Sequence, residues 1–149
     1  MRKIISILIS IIMLTSCVSE NTKKVNELLD AINSKDYTQI EKLTTELLTI
    51  KEDLTSRETT SILKSCDLLS KYYLQDSKNN QKSIDYNKLY ISTYDLLSGK
   101  KDAKDAIDEA KAEGWNLTEL YSENKELIQK QESVQENEID NSVVETEKK

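Results

Sequence analysis

Histidine, proline and phenylalanine are absent from this chain, and glycine, cysteine and tryptophan are scarce. Without histidine there is no His-dependent catalytic triad and no histidine-ligated zinc site. The two glycines, Gly99 and Gly114, stand alone and cannot build a phosphate-cradling loop. With no proline and so few glycines among many Leu, Glu, Lys and Gln, long helices are the only plausible regular structure. Their boundaries must then be set by caps rather than by breakers. Basic charge is also in short supply, 21 Lys and Arg against 27 Asp and Glu. An acidic surface without a basic stripe repels phosphate backbones, so no nucleic-acid partner is expected.

What is present begins with Met1–Cys17. Arg2 and Lys3 give a positive start, and Ile4–Leu14 is an apolar run interrupted by Ser6 and Ser10. A membrane-spanning helix needs about 20 apolar residues, so this run has the length of a secretory signal instead. Leu14-Thr15-Ser16-Cys17 resembles the lipobox of bacterial lipoprotein precursors. The resemblance implies cleavage before Cys17, a diacylglycerol thioether on Cys17 and acylation of the new amine. Two or three acyl chains make a stable anchor where one does not. An ordinary signal cleaved further on, for instance after Ser19, is the alternative.

Removing residues 1–16 takes away Arg2 and Lys3 and no acid, leaving 19 basic and 27 acidic side chains and a net charge of −8. Such a chain does not adhere to anionic lipid by charge, so the covalent lipid on Cys17 must do the tethering. The expected location is the cell membrane or outer membrane, outside the cytoplasm. Val18 in place of aspartate resembles outer-membrane sorting in some two-membraned bacteria. If Cys17 carries lipid, Cys66 has no intramolecular partner, and its place among Ile62, Leu63 and Leu69 reads as a small buried hydrophobe.

The chain divides into a signal peptide (1–16), a lipidated tether (17–24), a helical domain (25–130) and an acidic tail (131–149). The tail lacks aromatic residues and periodicity and is expected to be disordered. The domain reads as all-α, about six antiparallel helices. The first spans about Lys23–Asn33 and the second, capped by Asp36 with Gln39 three residues on, about Tyr37–Lys51. Thr55 and Glu58 form a capping box opening a third helix to Gln75, with stripe Ile62, Leu63, Cys66, Leu69 and Tyr73. A fourth covers about Gln81–Ser98, ended by Gly99 as a left-handed cap. Asp102 opens a fifth, whose inner face is Ala103, Ala106, Ile107 and Ala110. The sixth starts near Leu117, where Asn116 and Glu119 form another box and Trp115 can staple onto Leu120.

Short connections allow either a closed bundle or a short stack of helix pairs. Lys35–Ile40 and Gly99–Ala103 with Ala106, Ile107 and Ala110 resemble the turn and second helix of tetratricopeptide-type repeats. They lie about two periods of 34 residues apart, without the expected copy between them.

Asp102, Asp105, Asp108 and Glu109 cluster on one helix but alternate with Lys100, Lys101, Lys104 and Lys111. That is a solvated charged face rather than a metal site, and no metal is expected. The aromatic signal is tyrosine, with seven in the chain. Tyr86, Tyr90 and Tyr94 recur every four residues on one face. They form either a partner-binding surface or a core boundary whose hydroxyls reach water; coincidence with the apolar face favours the core. Asn116-Leu117-Thr118 matches a glycosylation sequon that a bacterial precursor gives no reason to use. The expectation is therefore a non-enzymatic, membrane-anchored envelope lipoprotein that binds a protein or envelope component. It needs no cofactor beyond its covalent lipid. The alternatives are an accessory or inhibitory subunit of an envelope enzyme and a small solute-binding module.

Overall fold

A computed structural model describes residues 19–130, so Cys17, the signal segment and the 131–149 tail lie outside the described residues. Every long element within them is a helix: α1 (Glu20–Ser34), α2 (Tyr37–Leu48), α3 (Ser56–Gln75), α4 (Asn80–Ser98), α5 (Ala103–Ala112) and α6 (117–130). A single 3-10 turn, Lys51–Asp53, joins α2 to α3. The domain is all-helical, as its composition requires.

Caps set the boundaries. Thr55 and Glu58 form the full reciprocal box at the head of α3. Asp36 accepts from the Gln39 amide at 3.1 Å, and Asn79 accepts from the Lys82 amide at 3.1 Å. Ser19 does the same for Thr22, which lets α1 begin at Glu20 rather than at Lys23. The helical domain thus starts five residues before Val25, and the tether shortens accordingly.

Two further expectations are corrected. Gly99 is right-handed (φ −80°), because its amide bonds Leu96 O and the next amide bonds Leu97 O, continuing the turn without reversal. The left-handed cap falls instead on Lys35 (φ 55°), where the Asp36 amide closes on Ala31 O at 3.0 Å. Asp102 precedes α5 but does not cap it; its carboxylate accepts from the Ser56 hydroxyl, tying α5 to α3.

From α1 to α5 each helix packs on its successor, and α3 also packs against both α1 and α5. The Thr22–Glu58 and Ser56–Asp102 bonds bring the starts of α1, α3 and α5 to one end, so these three run parallel. Tyr37 stacks on Tyr72, and Tyr73 lies 5.8 Å from Tyr86 ring to ring, so α2 and α4 run antiparallel to α3. The core of Leu28, Ile40, Leu47, Ile62, Leu69, Tyr90 and Leu97 lies between the two sets. As the middle member, α3 is covered nearly all round: 13 of its 20 residues are buried, and they include Ser, Thr, Lys64 and Asp67.

Candidate functional site

Parallel α1 and α5 flank α3 and leave a cleft of about 400 Å³ above its first three turns. Volumes of 300–1,000 Å³ are typical of ligand sites. Small side chains make the floor: Thr60 and Ser61 from α3, Ala106 and Ala110 from α5. The spacing of Ala103, Ala106 and Ala110 buries all three against their neighbours, so α5 approaches closely and its acids turn outward. Val25 and Leu29 of α1 line the opposite wall.

The cleft's charges are answered from within. Arg57 Nε meets Glu109 at 2.6 Å, and the Lys64 ammonium, on a side chain 8% exposed, pairs with Glu113. Lys64 also lies 5.9 Å from the Trp115 ring centroid. Burial alone would raise the Glu58 carboxyl. Hydrogen bonds from the Thr55 amide and hydroxyl and from Thr22 outweigh it and hold Glu58 below the usual range.

Ser61 differs from these groups. The residue is 4% exposed, its hydroxyl has no hydrogen-bond partner among the described residues, and it opens into the cleft. Lys64 follows it by one turn, a spacing that in Ser-x-x-Lys hydrolases pairs a nucleophile with a lysine. Here the ammonium is committed to Glu113 and makes no bond to Ser61, so Ser61 has no base to activate it. The geometry offers a floor of small side chains between the apolar residues of α1 and the ion pairs that join α3 to α5.

The three tyrosines of the α4 stripe do not form one surface. Tyr90 is fully enclosed and donates to Leu117 O at 2.9 Å; burial pushes its phenol well above the ordinary range. Tyr86 is buried and donates to Glu41 Oε1 at 3.1 Å, beside Tyr73 and Lys82, which also reach Glu41. Tyr94 is half-buried, bonded to Thr118 and packed on Tyr121 with ring centroids 4.7 Å apart. The stripe locks α4 to α2 on one side and to α6 on the other. Cys66 is fully buried, and its thiol is pushed up to about 12, first by burial and then by neighbouring Asp67. Cys17 lies outside the described residues.

Among the described residues no three His, Cys, Asp or Glu side chains converge as a metal site would need. No described helix is long and apolar enough to cross a membrane. Ser61, Lys64 and the cleft they line were not singled out by sequence patterning, because all the cleft-forming residues of α3 are polar positions beside the apolar stripe. Compared with known proteins, the chain finds no matching family model, curated protein or solved structure.

Proposed function

We propose that this chain is a non-enzymatic, lipid-anchored protein of the cell envelope that holds a segment of a partner protein in the α1–α3–α5 cleft. The observation that carries the reading is the hydroxyl of buried Ser61, which has no partner among the described residues and opens into a cleft where Arg57 and Lys64 are ion-paired and Glu58 is held by hydrogen bonds. A floor of that kind suits the amide groups of an extended peptide, which need hydrogen-bond partners when they leave water. The anchor rests on Arg2, Lys3, the apolar run to Leu14 and the lipobox-like Leu14–Cys17. With α1 starting at Glu20, the cleft residue Thr22 stands close in the chain to Cys17, so the cleft would open near the bilayer.

The test is site-specific crosslinking in the native envelope. A photo-reactive residue replacing exposed Asn26 at the cleft rim should yield a discrete protein adduct. The same residue replacing Asp85 on α4 should not. Ser61→Gln, which fills the floor, should remove the Asn26 adduct without lowering the melting temperature. Equal adducts at both positions would sink the cleft reading. Fatty-acid labelling that survives Cys17→Ala would sink the anchor. The cleft's volume also suits a small solute; a saturable small-molecule ligand with no protein adduct would put that second reading first.

A further inference from the structure

One turn beyond Lys64, a second crevice opens where the start of α6 meets α3. It encloses about 440 Å³ and is bounded by Asp67, Leu68 and Lys71 on one side and Trp115, Glu119 and Glu123 on the other. Asp67 is its unusual member. Its side chain is only 5% exposed, yet the protein satisfies just one of its oxygens, through Lys71 at 2.8 Å on Oδ2. No donor among the described residues reaches Oδ1, and Asp67 lines the crevice. Lys71 itself is half exposed and serves as a loose counter-ion. At the mouth, Glu119 is engaged by Asn116 at 2.7 Å, whereas Glu123 is exposed and makes no ion pair or hydrogen bond with the described residues. The wall is the half-buried indole of Trp115, which already has a lysine ammonium near its ring.

We infer that the Asp67 crevice is a binding site for the cationic side chain, arginine or lysine, of a partner polypeptide. A buried carboxylate is costly until paired, and a second cation on Oδ1 completes what Lys71 leaves undone. An aromatic wall favours an organic cation with a flat or alkyl surface over a hydrated metal ion. Burial holds the Asp67 carboxyl above its ordinary range, with Lys71 offsetting only part of the shift, so the site has electrostatic capacity to spare. The chain's net charge of −6 draws cations toward it. This crevice shares no lining residue with the α1–α3–α5 cleft, the nearest link being Lys64 over the Trp115 ring at 5.9 Å.

Trp115 is the only tryptophan in the chain, so its fluorescence reports the crevice directly. The full mature chain, kept in non-ionic detergent, is titrated with N-acetyl-arginine amide, and in parallel with N-acetyl-citrulline amide, its uncharged near-isostere. The arginine probe should give a saturable change and the citrulline probe none. Asp67→Asn should weaken the arginine probe at least tenfold, while Lys71→Gln, which removes the internal competitor, should tighten it severalfold. Lys71 is exposed enough for that variant to fold even where Asp67→Asn does not. Equal response to arginine and citrulline, unchanged affinity in folded Asp67→Asn, or weaker binding in Lys71→Gln would each overturn the assignment.

Discussion

The Tyr90 hydroxyl, on a ring with no exposed surface, donates to the main-chain carbonyl of Leu117 at 2.9 Å. One side chain in the middle of α4 thereby fixes where α6 begins. Tyr90→Ala should cost about 3 kcal/mol, as large-to-small core changes do. Tyr90→Phe should cost about 1 kcal/mol by losing the hydrogen bond that ties α4 to the start of α6. Denaturant midpoints measure both. A Tyr90→Ala protein as stable as wild type would show that the ring is not part of the core.

Thr93, also on α4, is fully buried, and its hydroxyl has no partner. Thr93→Val keeps the shape and removes the unsatisfied group. It should therefore stabilise the domain by about 1 kcal/mol. A lower thermal midpoint for Thr93→Val would contradict this placement.

Glu41 sets an acid limit on stability. Burial alone would raise its pKa, but bonds from Lys82, Tyr73 and Tyr86 prevail and hold it below 4.5. A depressed carboxyl contributes stability that is complete above its unfolded value and is lost as pH falls through the folded one. Asp67, raised by burial, works in the opposite sense. Glu41→Gln should lower stability at pH 7 and flatten the decline from about pH 5 to pH 3. Stability curves for wild type and variant that stay parallel across that range would rule Glu41 out as the cause.

Cys66 should be chemically silent. In a Cys17→Ser chain it is the only thiol. Fully buried and pushed up to about 12, it should resist maleimide at pH 8 until denaturant is added. Prompt labelling of the folded protein would mean that α3 opens locally, because the thiol lies at its centre.

The capping residues made the helices legible. Asp36, Thr55 and Glu58 carry recognisable signals, and the apolar stripe of α3 named most of its core correctly. The site was harder to see because periodicity describes one face of a helix, whereas α3 is covered by α1, α2, α4 and α5. A signal was nevertheless present. From Thr59 to Tyr73 the only charged residues are Lys64, Asp67 and Lys71, and small hydroxyl residues fill the remaining polar positions. Such residues let helices approach on the side that an amphipathic reading assigns to water. In the structure they do so through Thr44 to Ser65 at 2.8 Å and Ser70 to Ser83 at 3.2 Å. The Asp67 crevice needed the α3–α6 juxtaposition, which no local pattern encodes.

The pairing of each helix from α1 to α5 with its successor also governs how quickly the domain can assemble. Contacts between sequence neighbours close short loops, and chains dominated by such contacts fold in microseconds to milliseconds. A protein delivered unfolded across a membrane, as proposed for this one, gains from that speed. The α1–α2 pair is followed in the chain by α3, against which both helices pack, so each apolar stripe finds its partner within a short stretch of sequence.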